Sequence, residues 1–170
     1  TTQHHELLHE IAINPKHLLA YTDGSIMEEG EGAGAGAVIL QSGSADDERN
    51  TPIGSQAEVY DAELQGMVTA VNIMKRRAYQ AQNTPTDAWI FSDSQAAINR
   101  VKSLGAGPGQ HAAISIQKAA TSLRQIGTQL HIHWVPGHTD IMGNEVADRL
   151  AKKAASAKQP SSLVTTISYL

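Results

Sequence analysis

The sequence contains no cysteine, which excludes disulfides, thiol nucleophiles and zinc–thiolate sites. No apolar run approaches the roughly 20 residues that a membrane helix requires. No cationic and apolar segment opens the chain as a secretory signal would. These absences predict an intracellular protein, nuclear or cytoplasmic, that does not associate with membranes.

A surplus of basic residues is also missing. The chain has 13 Lys and Arg against 17 Asp and Glu, a formal net charge of −4, whereas nucleic-acid-binding domains usually carry a basic footprint. Two bound divalent cations would offset this charge, so it does not exclude a polyanionic partner. It does indicate that the isolated domain would hold a polyanion loosely.

The length of 170 residues suffices for one domain with a single core. Apolar periodicity and turn residues predict strands over 18–26, 37–40, 88–91 and 130–135 and within 47–54, and helices over 57–79, 95–104, 111–126 and 144–157. This order predicts a mixed α/β sheet covered by helices over residues 17–157. Residues 1–16 are expected to form an N-terminal arm or linker, and residues 158–170 a C-terminal tail or linker.

Four acidic residues occupy special places in this scheme. Asp23 closes the first predicted strand, Asp93 follows the buried strand at 88–91, and Glu63 and Asp148 lie in the long and the final helix. An open α/β sheet presents groups to ligands beyond the carboxyl ends of its strands. Four acids in one pocket would repel one another unless cations joined them, and oxygen ligands favour Mg²⁺. Two such ions about 3.5–4 Å apart can activate a water and stabilise the leaving oxygen of a phosphodiester.

Glu63 has a local alternative in Glu58, five positions earlier. The two side chains point about 140° apart around a helix. Gly66 and Ala70 follow Glu63 on a face that suits close packing on a sheet. Glu58 belongs to the outer side or to the helix start, where an acid favours the helix dipole and where Ser55 is the expected N-cap. We therefore prefer Glu63.

The other acids also have local alternatives when each is taken alone. Asp23 stands before glycine and could be a turn residue. Asp93 could cap the helix that follows it, although the neighbouring serines could do the same. Asp148 could pair with Lys152 at i+4 on a solvated helix face. Trp134 is expected in the core.

Five motifs occur together in this chain: Tyr-Thr-Asp-Gly-Ser (21–25), Ala-Glu-Leu (62–64), Ser-Asp-Ser-Gln (92–95), His-Trp-Val-Pro-Gly-His (133–138) and Asn-Glu-Val-Ala-Asp (144–148). In these motifs, their order and their spacing, the chain resembles the type 1 ribonuclease H family over residues 17–157. Val-Tyr-Asp-Ala-Glu-Leu-Gln-Gly (59–66) and the ending Thr-Ile-Ser-Tyr-Leu are most similar to the domain that fungal non-LTR (LINE-like) retrotransposons carry downstream of a reverse transcriptase.

The resemblance implies a ribonuclease H-like fold: a five-stranded mixed sheet, three antiparallel strands followed by two parallel ones, flanked by about four helices. It implies an endonuclease that hydrolyses the RNA strand of RNA·DNA hybrids without sequence preference, using two Mg²⁺ ions or Mn²⁺ as a substitute. The implied partners are the hybrid and a covalently linked reverse transcriptase domain. The isolated domain is expected to be a monomer.

The resemblance also implies roles for particular residues. Asp23, Glu63, Asp93 and Asp148 match the metal ligands, with Asp23 bridging both ions. His138 matches a mobile-loop histidine that assists proton transfer or product release. Glu145 matches an acid near the second metal, and the residues that match substrate contacts are Gly24, Ser25 and Gln95.

The chain departs from the family pattern in one place. Only Gly-Ala-Gly-Pro-Gly-Gln (105–110) separates two predicted helices where many cellular members insert a protrusion that grips the hybrid. This predicts weak, salt-dependent binding, with a polymerase domain supplying the missing contacts. The alternative function is a catalytically inactive ribonuclease H-like binding or connection domain. Such domains usually lose acids, whereas all four acids are present here.

Overall fold

The structure, a computed structural model, describes residues 2–28, 31–42, 46–103, 105–137 and 141–160. Within them the chain forms five strands: β1 His17–Ile26, β2 Ala33–Leu40, β3 Asp47–Gly54, β4 Asp87–Ser92 and β5 Gln129–Trp134. It also forms five helices: α1 Thr2–Ala12, α2 Val59–Gln80, α3 Gln95–Lys102, α4 Gln110–Gln125 and α5 Met142–Ala155. In this part of the chain, no helix has the length and apolar character to cross a membrane.

The strands form one mixed sheet in the order β3-β2-β1-β4-β5. β1, β2 and β3 pair antiparallel, and β4 pairs parallel with both β1 and β5. The predicted ribonuclease H-like fold is thereby confirmed. The parallel register brings the carboxyl ends of β1, β4 and β5 to one edge of the sheet, where Tyr21 pairs with Phe91 and Ser92 with Trp134.

β1 is buried on both faces because it lies in the middle of the sheet. Leu18 and Ala20 face the larger core, which includes α2, α3 and α4. Leu19 and Tyr21 face a smaller core, which α1 and α5 cover in part. Strands that are buried on both sides have continuous apolar sequences, as this one does. The end of β1 is therefore held firmly from both sides.

Small residues let α5 approach the sheet closely. A β-carbon added at Gly34 would lie 2.2 Å from the main-chain nitrogen of Ala155, and one at Gly36 would lie 2.3 Å from the main-chain oxygen of Ala147. Side chains at these positions would therefore push the helix away. Gly36 pairs with Asp23 across the strands, so this approach fixes α5 beside the end of β1.

The segment predicted as an arm or linker contains a helix that sequence reasoning missed. Ile11 of α1 is 4% exposed and packs in the smaller core with Leu7 and Leu8. The spacing of these three residues suits one helix face, but polar residues around them obscure it in the sequence. The structure thus has five helices in its described part where about four were expected. The domain boundaries at residues 17 and 157 remain predictions.

The start of α2 also differs from the expected one. Glu58, not Ser55, is the N-cap residue. Its main-chain N–H donates to the Asp61 carboxylate at 2.9 Å, in a reciprocal capping arrangement. The helix therefore begins at Val59. Glu58 lies at the helix start, which is one of the two positions that the sequence predicted for it.

Asp87 connects three strands at the edge opposite to their carboxyl ends. His17 Nε2 lies 3.2 Å from one carboxylate oxygen of Asp87, and His131 Nε2 lies 2.7 Å from the other. Burial acts to raise the pKa of Asp87. Hydrogen bonds from His131 and Thr86 and the charge of His17 outweigh it, and hold the pKa below its usual value.

We predict that Asp87→Asn lowers the free energy of unfolding by about 1 kcal/mol near neutral pH. A carboxyl whose folded-state pKa is depressed stabilises the fold above its unfolded-state pKa of about 4, and loses this effect as the pH falls further. Urea unfolding of both proteins from pH 7 to pH 3 measures the difference. A difference that grows toward pH 3 would contradict the prediction.

Candidate active site

Three acidic side chains converge at the carboxyl edge of the sheet. Asp23 lies in β1, and Asp93 follows the neighbouring parallel strand β4 directly. Glu63 comes from the second turn of α2, which contacts β1 at Gly24. A β-carbon at Gly24 would lie only 2.5 Å from the main-chain nitrogen of Glu63. This contact requires glycine, and it brings Glu63 beside Asp23.

Asp23, Glu63 and Asp93 form what we call the carboxylate cluster. One carboxylate oxygen from each lies within 4.8 Å of the other two. Asp23 is 6% exposed and Glu63 is 7% exposed, while Asp93 is partly exposed. The cluster is thus buried at Asp23 and Glu63 and open to solvent at Asp93.

Asp148 reaches the cluster from α5. Its side chain hydrogen-bonds to that of Asp23. It also pairs with Lys152 Nζ at 2.8 Å, one helical turn further on. The i+4 ion pair is therefore present and does not keep Asp148 away from Asp23, while the role of Asp148 as a metal ligand remains a prediction.

Burial and like charge act in the same direction on the cluster. Burial raises the pKa of Asp23, and the neighbouring Asp93 and Asp148 raise it further. Burial likewise raises the pKa of Glu63, with Asp23 and Asp93 adding to the effect. A backbone hydrogen bond at Gly24 opposes both shifts but does not cancel them. Without a cation, the raised pKa values of Asp23 and Glu63 favour their protonated forms at pH values where isolated carboxyls have lost their protons.

The donor set fits a divalent cation. Glu63 Oε2 is buried and has no hydrogen-bond partner in the described part of the chain. A buried oxygen without a partner is costly, and a bound cation would satisfy it. All donors in the cluster are carboxylate oxygens, which hard cations such as Mg²⁺ prefer.

The N-cap alternative for Asp93 is not what the structure shows. Ser94 is the N-cap of α3, and its Oγ accepts a hydrogen bond from the main-chain nitrogen of Ala97 at 3.2 Å. The carboxylate of Asp93 belongs to the cluster instead.

His138 lies outside the described residues, and its role remains a prediction. The residue before it, Gly137, is described. A β-carbon at Gly137 would lie 2.7 Å from Asp93 Oδ2. The segment that leads to His138 therefore passes directly against the carboxylate cluster.

The remaining predicted residues lie around this edge of the fold. Gln95 is the first residue of α3 and is exposed, Ser25 is partly exposed near the end of β1, and Glu145 is exposed in the first turn of α5. Gly24 has a packing role against α2. Their contacts with substrate or metal remain predictions.

Trp134 was expected in the core, and that prediction is wrong. The side chain is 48% exposed, and its indole N–H donates to the main-chain oxygen of Asp93 at 3.2 Å. β5 ends at Trp134 beside the end of β4. The sequence did contain a signal for this exposure, since Trp134 lies at the end of a predicted strand and shortly before His138.

The fold and the cluster together define an α/β protein with an acidic, cation-fitting centre at the carboxyl edge of its sheet. The RNase H family model matches residues 15–156, so the chain belongs to the RNase H family. No curated protein sequence matches the chain.

Three solved structures share the fold. The N-terminal RNase H domain of a Mycobacterium tuberculosis protein, fused to maltose-binding protein, is 24% identical (TM-score 0.64, 82% of this chain and 93% of that chain covered). RNase H1 from Halobacterium salinarum is 20% identical (TM-score 0.54, coverage 81% and 96%). LC11-RNase H1 in complex with an RNA/DNA hybrid is 17% identical (TM-score 0.58, coverage 81% and 98%).

Neutral replacements in the cluster should stabilise the metal-free protein. A carboxyl whose folded-state pKa is raised stabilises the fold below its unfolded-state pKa, and this effect is lost as the pH rises through the folded-state pKa. We therefore predict that Glu63→Gln raises the free energy of unfolding by on the order of 1–2 kcal/mol at alkaline pH, and by less at pH 5.

Urea unfolding in EDTA at pH 5 and pH 9 measures this effect. Glu58→Gln is a matched control at the N-cap of the same helix, because Glu58 is exposed outside the cluster. An equal change in stability of Glu63→Gln at both pH values would contradict the prediction.

Proposed function

We propose that this chain is a divalent-metal-dependent endonuclease that hydrolyses the RNA strand of RNA·DNA hybrids. The observation that carries the proposal is the carboxylate cluster, with Asp148 against Asp23, in a member of the RNase H family. A further support is the similar fold of LC11-RNase H1, whose structure contains an RNA/DNA hybrid.

Asp23, Glu63, Asp93 and Asp148 would hold two Mg²⁺ ions, with Mn²⁺ as a substitute. When bound, such ions activate water for attack on a phosphodiester and offset the negative charge that develops. Asp23 would serve both ions, because its carboxylate lies close to those of Glu63 and Asp93 and its side chain also hydrogen-bonds to Asp148. Glu145 would lie near the second ion.

The chain's other groups would bind the hybrid and move protons. Gly24, Ser25 and Gln95 would contact the hybrid along its minor groove, where 2′-hydroxyls distinguish RNA from DNA. His138 would assist proton transfer to the leaving 3′-oxygen or release of the product, since imidazole titrates near neutral pH. Gly137 would hold this loop against Asp93.

We further propose that the domain works beside a reverse transcriptase domain in a retroelement polyprotein. α3 ends at Lys102 and α4 begins at Gln110, so the chain has no room there for a protrusion that grips the hybrid. The net charge of −4 adds no electrostatic attraction. A linked polymerase domain would supply the missing phosphate contacts.

The test of the activity is cleavage of an RNA·DNA hybrid, labelled on each strand in turn, with Mg²⁺ or Mn²⁺. We predict that Glu63→Gln or Asp93→Asn lowers kcat by at least about 100-fold, because each removes a charged ligand from the centre. Glu58→Gln should keep kcat within about twofold, since loss of a helix-start acid costs only a fraction of a kcal/mol.

Cleavage of the DNA strand or of duplex DNA would contradict the assignment, as would unchanged cleavage by Asp93→Asn. If the folded wild-type chain cuts no hybrid with either metal, the inactive binding or connection domain becomes the better interpretation.

Hybrid binding should be weak. We predict a Kd above about 1 μM near physiological salt, because few phosphate contacts release few counterions, and a Kd that decreases at lower salt with a slope set by the number of those contacts. Titration of a labelled hybrid into Asp93→Asn protein in Ca²⁺, at several salt concentrations, measures Kd. Nanomolar affinity at physiological salt would count against the need for a linked domain.

A further inference from the structure

The environment of Trp134 differs from that of an ordinary surface tryptophan. Leu130 and Ile132 of the same strand pack on the larger core. Because side chains two positions apart share a face, Trp134 continues this row beyond the edge of the core. There it is 48% exposed, so burial of apolar surface explains only part of its placement.

The indole N–H of Trp134 makes a hydrogen bond at the carboxylate cluster. Its N–H donates to the main-chain oxygen of Asp93 at 3.2 Å. The next residue, Val135, donates its main-chain N–H to the oxygen of Ser92 at 2.9 Å. The last residue of β5 and the residue after it therefore bind two consecutive carbonyls at the end of β4, and one of these carbonyls belongs to Asp93 of the carboxylate cluster.

The same segment also contacts the side chain of Asp93. Gly137 approaches Asp93 Oδ2 so closely that a β-carbon there would lie 2.7 Å away. Trp134 thus binds the main-chain oxygen of Asp93, and Gly137 packs closely against its carboxylate. Asp93 is the most exposed member of the cluster, so its orientation depends on such contacts more than on burial.

We infer that Trp134 is a positioning residue for the metal centre: its indole N–H holds Asp93 in the orientation that directs the carboxylate toward Asp23 and Glu63. This inference rests on the proposed function, because it assumes that the cluster binds divalent cations. Groups that orient metal ligands through hydrogen bonds typically change metal affinity about 10–100-fold when they are removed.

The chain offers a matched pair of variants, since it has two tryptophans. Trp134→Phe keeps an aromatic ring and removes the N–H. Trp89→Phe makes the same chemical change on β4, where the indole nitrogen is buried and has no hydrogen-bond partner among the described residues. Only the first variant loses a hydrogen bond to the site.

Calorimetric titration of the nucleic-acid-free proteins with Mn²⁺ is the direct test. We expect Trp134→Phe to weaken Mn²⁺ binding about tenfold and Trp89→Phe to change it less than about twofold. Urea unfolding in EDTA serves as the control for the fold. A merely structural role would lower the stability of Trp134→Phe and leave its Mn²⁺ affinity unchanged, which would overturn the inference.

Fluorescence gives a second readout, because each variant retains one tryptophan. In Trp89→Phe, the emission of Trp134 should change on Mg²⁺ titration. In Trp134→Phe, the emission of Trp89 should stay constant. Absence of a Trp134 response, or absence of Mn²⁺ binding by the wild-type protein, would overturn the inference.

These measurements separate the inference from the proposed function, since neither uses a hybrid. Wild-type protein that binds Mn²⁺ but cuts no hybrid would overturn the activity and leave the positioning role intact. Unchanged Mn²⁺ affinity of Trp134→Phe with weaker hybrid binding would overturn the positioning role and assign the ring to substrate contact.

Discussion

Repulsion among buried carboxylates is the constraint on which the rest of this structure depends. Asp23 and Glu63 are nearly inaccessible to solvent and lie within reach of Asp93. Burial and mutual charge both disfavour their ionised forms. Such an arrangement persists only where the surrounding fold is stable enough to hold it. The cluster therefore lowers the stability of the metal-free protein at pH values where its carboxyls ionise.

The central strand provides the required rigidity. β1 is packed on both faces and paired with β2 and β4, so Asp23 lies in a strand that is held on all sides. α2 and α5 each contact this region backbone to backbone, at Gly24 and Gly36. These contacts therefore fix the positions of the acids on both helices relative to the strand.

The sequence predicted the features that local physics decides. The order of elements followed from apolar periodicity, and the small residues Gly66 and Ala70 after Glu63 distinguished it from Glu58, which the structure places outside the helix as its N-cap. Features decided by tertiary surroundings were missed: α1 has too few apolar residues to be evident, and the exposure of Trp134 depends on where β4 ends. The ion pair and the cluster contact of Asp148 coexist, which one-dimensional spacing could not reveal.

Gly36 has a consequence for the comparison of related sequences. It faces Asp23 across the strand pair, and it touches the backbone of Ala147, the residue before Asp148. A mutation to alanine would force the final helix outward and carry an acid with it, although all four acids would still be encoded. The presence of all four acids in a sequence therefore does not by itself mean that they can come together in the fold. This glycine therefore belongs beside the four acids when related sequences are compared for an intact site.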